Sequence, residues 1–190
     1  MRFTKQEIDR VFSELGAVGQ ASWSASQMEE GIPQLHRFLF LAKAWSAIPD
    51  ERDYSWIDNQ IAAAKAAPDQ PFGGAGIALE RLRSLGASDS DLTELVRAQM
   101  AEMLHHACYL LSDSDYAPDE RYLEASLADT LDKVNWGLFE TDDEFHPLGP
   151  IDCLHEDVLA TDPMGREVRP LAIKPAPERT QSEVESDPVL

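Results

Sequence analysis

Apolar residues recur at helical spacing through residues 89–111, and this segment restricts the possible folds more than any other. A stripe of this period predicts an amphipathic helix that buries one side in a core. Ser88 and Asp91 stand before the stripe at the spacing of an N-terminal cap. We expect this helix to be the central one. Its apolar positions are Leu92, Leu95, Val96, Met100, Met103, Leu104, Ala107, Leu110 and Leu111.

Other segments with the same period surround the central one and predict further helices. Thr4 and Glu7 stand at the spacing of a capping box, and Gly16 and Gly86 follow apolar patterns where a helix would end. Residues 17–26 are polar and small and lack an apolar stripe, so they predict a connection. The predicted helices span residues 4–15, 33–48, 51–66, 75–85, 89–111 and 118–134.

The pattern changes after Gly137. Residues 138–148 place an acidic stretch between two short apolar runs, which favours a β-hairpin around an acidic turn. Asp162-Pro163-Met164-Gly165 has the proline and the glycine of a tight turn. A small irregular or β-hairpin segment is therefore expected here.

The chain is predicted to be mainly α. Residues 1–136 should form a bundle-like array of five or six helices, with the small segment of residues 137–174 packed on it. Residues 175–190 combine acids, prolines and hydroxyl residues with few large apolar groups, and they predict a disordered acidic tail.

The sequence also bears on where the protein works. No run approaches the roughly 20 apolar residues of a spanning helix, and the amino terminus lacks the apolar region of a secretory signal. We therefore expect a cytoplasmic protein. Cys108 lies on an apolar helical face and is expected to be a small buried hydrophobe.

Negative charge is concentrated in one part of the chain. The net charge is −19, and between Ser112 and His146 there are eleven acidic residues and two basic ones. Such a field repels phosphate backbones and anionic membranes, which argues against nucleic-acid binding and membrane attachment. It would attract a basic protein partner, although acidic surfaces also serve solubility alone.

Two aromatic residues lie beside the acidic turn. If Trp136 and Phe139 are exposed, they are suited to anchor a protein interface, because aromatic side chains with charged rims are common at binding hot spots. Together with Asp142, Asp143 and Glu144 they form the predicted binding residues.

A weaker pattern suggests metal binding. Glu102 and His105 stand at the i, i+3 spacing that di-metal helical bundles use, but such sites require further glutamates and a second pair. The alternative is that these residues border the apolar face of the helix without binding a metal.

Two hypotheses follow. The first is a noncatalytic acidic binding protein, such as an inhibitor, an immunity-type protein or an adaptor, that docks a basic protein surface. The second is a metal-binding helical protein or a metal-dependent hydrolase that uses Glu102 and His105. No cofactor is predicted, and the absence of a nucleophile signature favours a binding protein over an enzyme.

Overall fold

A computed structural model describes residues 3–17, 20–112 and 133–169, and within these ranges the fold is mainly α, as predicted. The elements in chain order are the helices α1 (Lys5–Glu14), α2 (Gln20–Glu29), α3 (Gln34–Trp45), α4 (Ser55–Ala66), α5 (Gly74–Ser84) and α6 (Asp89–Ser112), the strands β1 (Phe139–Thr141) and β2 (Pro147–Pro150), the helix α7 (Leu154–Asp157) and a 3₁₀ turn (Leu159–Thr161).

Several helices begin or end at the capping residues that the sequence predicted. The Thr4 side chain accepts a hydrogen bond from the backbone N–H of Glu7, and the Glu7 carboxylate accepts one from the N–H of Thr4. Ser88 Oγ accepts from the N–H of Asp91 (3.1 Å) at the start of α6. Gly86 ends α5 with φ +93°, a conformation that glycine adopts without steric cost.

The helix α2 corrects the sequence-based expectation, since residues 17–26 were predicted to form a connection. The missed signal is Trp23, whose ring packs edge-to-face against Phe12 (5.7 Å) and Phe38 (5.5 Å). Apart from Trp23 and the partly buried Met28, the inner face is polar: Ser24 is fully buried, and the Gln27 carboxamide oxygen accepts from a backbone N–H of α3. A polar inner face gives no apolar stripe, so periodicity alone did not find this helix.

A first core cluster joins α1, α2 and α3 around the side chains of Ile8, Phe12, Leu35 and Phe38. A second joins α3 and α6 to the carboxyl-terminal segment, and its members are Leu41, Trp45, Ile48, Ala101, Cys108, Ile151, Leu154 and Val158. Cys108 is fully buried, as predicted, and burial raises the pKa of its thiol to about 11.

The helices α4 and α5 form a closely packed antiparallel pair. Gly76 of α5 faces α4 so closely that an added Cβ would overlap the backbone oxygen of Gln60 and stand 2.6 Å from the Cβ of Ala64. The pair meets the start of α6 in a third cluster of Ile57, Leu79 and Leu92.

The carboxyl-terminal segment is held to the helices by buried polar contacts. The Trp45 indole N–H donates to the carbonyl of Val158 (2.9 Å), and Arg97 Nη2 donates to Asp162 Oδ1 (2.7 Å). The predicted turn at residues 162–165 is confirmed, with the N–H of Gly165 donating to the carbonyl of Asp162 (3.0 Å).

Three predictions are not tested by the described residues. The helix at residues 118–134 falls mostly outside the described residues, and the tail at residues 175–190 falls entirely outside them. The boundary between residues 136 and 137 is likewise a prediction. Within the described ranges, no helix is long and apolar enough to cross a membrane.

Candidate functional site

The predicted hairpin around the acidic stretch is present. The strands β1 and β2 pair antiparallel, with Phe139 opposite Pro150 and Glu140 opposite Gly149, and the register shifts between Glu140 and Thr141. The five residues 142–146 connect the strands. This places Asp142, Asp143 and Glu144 in the turn itself.

Asp142 organises that turn through its carboxylate. Its Oδ1 accepts hydrogen bonds from the backbone N–H groups of Glu144 and His146, each at 2.9 Å. Its backbone N–H donates to the carbonyl of His146 (3.1 Å), and its carbonyl accepts from the N–H of Phe145 (3.1 Å). Asp142 therefore has a structural role in addition to its charge.

Phe145 projects from the turn into solvent. Its side chain is 84% exposed, and its backbone has φ +65°, which is uncommon for a bulky residue and costs conformational energy. The hydrogen bonds of Asp142 hold this conformation. The result is a large apolar ring presented on an ordered acidic turn.

The two aromatic residues named from the sequence are exposed, which meets the condition placed on them. Trp136 is 44% exposed and Phe139 is 48% exposed. The Trp136 indole N–H donates to the carbonyl of Leu110 at 2.7 Å, near the end of α6. This bond fixes one edge of the ring on the helix and leaves much of the remainder open to solvent.

The hairpin is also anchored to the body of the protein. The N–H of Ile151, a core residue, donates to the carbonyl of Leu138 (2.8 Å). Glu140 Oε2 lies 3.4 Å from His36 Nδ1 on α3. The hydrogen bond between Ile151 and Leu138 therefore ties the hairpin to the core, and Glu140 lies close to α3.

Carboxylates dominate the electrostatics of the turn. Asp143 and Glu144 are exposed, and Asp142 is half-buried. His146 lies within this group, with Nδ1 3.1 Å from Asp142 Oδ2 and 3.8 Å from Glu144 Oε2. The acidic residues at positions 113–132 contribute to the charge of the chain but lie outside the described residues.

We call Trp136, Phe139, Asp142, Asp143, Glu144 and Phe145 the acidic hairpin surface. It combines charged groups with exposed aromatic rings. Sequence reasoning missed Phe145, although a phenylalanine among the acids of a predicted turn is itself a signal, since turns are ordinarily polar.

The residues of the metal hypothesis lie on α6. Glu102 is exposed and accepts from Gln99 Nε2 at 3.3 Å, and the half-buried His105 ring stands 6.1 Å from the rings of His106 and His155. No group of three histidine, cysteine, aspartate or glutamate side chains suited to a metal converges within the described part of the chain. The metal hypothesis stays a prediction from the sequence.

Comparison with known proteins gives no match to a family model, to a curated protein or to a solved structure.

Proposed function

We propose that this protein is a noncatalytic binding protein whose acidic hairpin surface docks on a basic surface of another protein. Inhibitors, immunity-type proteins and adaptors act in this way. The observation that carries the proposal is the exposed Phe145 ring, held on an ordered turn between carboxylates and close in sequence to two further half-exposed aromatic residues.

The two kinds of group would contribute to binding differently. Carboxylates attract a basic partner over a distance and mainly raise the rate of association. An aromatic ring that fills a pocket on the partner contributes contact energy and slows dissociation. Among the three aromatic residues of the acidic hairpin surface, Phe145 is the most exposed and has the most apolar surface to bury on binding.

The first experiment is capture of partners from the protein's own cell lysate at low salt, followed by elution with rising salt. The bait is compared with the double variant Asp143→Lys/Glu144→Lys. Asp142 is left unchanged because its carboxylate holds the turn. The matched control is Glu29→Lys/Glu30→Lys, which alters two exposed carboxylates at the end of α2 and changes the net charge by the same amount.

We expect a stoichiometric basic partner that the wild type and the control retain and the hairpin variant does not. With that partner purified, the hairpin charge reversal should slow association on the order of tenfold at low salt and flatten its salt dependence. Phe145→Ala should weaken binding by about tenfold or more, mainly through faster dissociation. Equal capture and equal kinetics for the hairpin variant and its control would reject the proposal.

A further inference from the structure

A second surface, distant in sequence from the hairpin, has the shape of a binding site. The loop after α3 (residues 46–53), the helices α4 and α5 with the loop between them, and one side of α6 enclose a groove of about 840 Å³. A volume of this size falls in the range of ligand-binding clefts. Its walls are mainly apolar, and they include Ile48, Trp56, Phe72, Leu82, Leu95 and Met100.

The groove continues along α6. A second depression of about 510 Å³ shares Leu95, Val96 and Met100 with the first and extends to Met103. From Leu92, which lines the first depression, to Met103 the helix rises about 16 Å, which corresponds to about three turns of a helix laid alongside it. We call the two depressions together the α6 groove.

Large apolar side chains remain in solvent along the α6 groove. Leu95 is 59% exposed, Met103 is 66% exposed, and Phe72 at the far wall is 92% exposed. Contiguous apolar exposure of this kind commonly marks an interaction surface. Methionine side chains are flexible and polarisable, which suits a surface that adapts to a bound helix.

The charge of the residues that line the α6 groove indicates which kind of ligand it would bind. Asp50 and Asp53 line the groove, and no lysine or arginine of the described chain does. The backbone N–H of Ser55 donates to Asp53 Oδ1 (2.9 Å) and lowers the pKa of that carboxyl, so it remains ionised at neutral pH. A second copy of this chain is disfavoured as occupant because each copy carries a net charge of −19.

We propose that the α6 groove binds a basic amphipathic helix of another protein. Apolar side chains at i, i+3 or i+4, and i+7 on that helix contact Leu95, Met100 and Met103 in turn. Lysine or arginine on its flank faces Asp50 and Asp53. The site is separate from the acidic hairpin surface, and the inference does not rest on the function proposed for that surface.

The test uses a displayed library of peptides of about four helical turns, with apolar residues fixed at helical spacing and all other positions varied. The full-length protein is the target. We expect enrichment of lysine and arginine beside the apolar stripe, and dissociation constants on the order of 1–10 μM. Failure to enrich basic amphipathic sequences would overturn the inference.

Matched variants locate the binding site of the selected peptides. Leu95→Glu/Met103→Glu should weaken binding at least tenfold, and both side chains are exposed enough for the fold to survive. The control Leu15→Glu/Ile77→Glu adds the same charge at exposed apolar residues that do not line the groove and should bind as the wild type does. Asp50→Lys should weaken binding more than Asp69→Lys, which lies outside the groove.

Methyl-labelled methionine gives an independent readout. On peptide binding, the resonances of Met100 and Met103 should shift, while those of Met28 and Met164 should not, because neither of the latter lines the groove. Unshifted Met100 and Met103 signals, or equal affinity for the groove variant and its control, would refute the site. A hairpin variant carrying Phe145→Ala should bind the selected peptides normally, which separates this result from the fate of the proposed function.

Discussion

At the scale of single residues, Arg97 is the most constrained side chain of the described core. It is 2% exposed, and its guanidinium donates to Glu167 (3.0 Å), to the carbonyl of Pro49 (2.8 Å) and to Asp162 (2.7 Å) while lying over the Trp45 ring. A buried cation is tolerated when its partners are complete. Arg97 thereby joins α6, the loop after α3 and the carboxyl-terminal segment.

Asp162 is the buried partner in this arrangement. Burial by itself raises the pKa of its carboxyl, but the backbone N–H groups of Glu167 and Met164, together with Arg97, outweigh it and lower the pKa overall. The same carboxylate accepts from the N–H of Arg166. The turn at residues 162–165 and the arginine thus stabilise each other.

Arg97→Met should lower the free energy of unfolding by about 3–5 kcal/mol, because it leaves the buried Asp162 carboxylate without its cation. Urea denaturation followed by circular dichroism measures the change. The control is Arg10→Met, which removes an exposed ion pair with Glu14 and should change stability by less than about 1 kcal/mol. Equal losses for the two variants would show that the buried network does not stabilise the fold.

Sequence reasoning singled out neither Arg97 nor Phe145. Arginine is ordinarily a surface residue, and the partners that allow Arg97 to be buried lie 48, 65 and 70 positions away. The sequence alone could not show whether Trp136 and Phe139 are exposed, and in the structure both are about half-exposed. Phe145 was passed over because its backbone conformation depends on hydrogen bonds within a turn that composition does not specify.

At the scale of elements, local signals were the reliable ones. The capping box at Thr4, the cap at Ser88 and the glycine after α5 act within a few residues of chain, so the helix ends they mark were close to those observed. The helix α2 depends on Trp23 and on buried polar groups that contact other helices. A helix such as α2, which has no apolar stripe, cannot be found from the periodicity of apolar residues.

The closeness of α4 and α5 is the element-scale feature with the clearest consequence. Gly76→Ala should destabilise the protein by about 1–3 kcal/mol, since the new methyl group would overlap α4 and push the helices apart. Gly74→Ala, at the start of the same helix, meets open space and should be neutral or stabilising by up to about 1 kcal/mol. Thermal unfolding of the two variants tests this expectation. If helix propensity alone mattered, both substitutions would stabilise the protein, whereas close packing predicts a loss for Gly76→Ala only.

At the scale of the whole molecule, the carboxyl-terminal segment completes the central core. Ile151, Leu154 and Val158 pack with α3 and α6. Arg37 of α3 donates to the carbonyl of Cys153 (2.7 Å) and forms an ion pair with Asp157, whose pKa burial raises despite that pair. The Arg37 guanidinium and the Trp45 indole of α3 therefore depend on partners beyond residue 150.

A chain of residues 1–136 should not unfold cooperatively, because it removes the partners of Trp45 and Arg37 and both carboxylates that pair with Arg97. It also exposes the apolar surface that Val158 covers. Calorimetry and dye binding measure both effects. The control is residues 1–174, which lacks the tail predicted to be disordered and should keep the melting temperature of the full chain. A cooperative transition of residues 1–136 at that temperature would instead make the helical part an independent domain.

The sequence separation between α3 and its carboxyl-terminal partners also has a consequence during synthesis of the chain, because α3 is made well before the residues that it contacts. Trp45 and the Thr161 hydroxyl that accepts its N–H are 116 positions apart. At cellular rates of elongation, about 6–23 seconds pass between the synthesis of one and of the other. During that interval the carboxyl-terminal residues that cover the central core have not been synthesised. Leu41 and its neighbours therefore stay exposed and available to chaperones. Slower translation near the end of the message would lengthen this vulnerable period and increase aggregation.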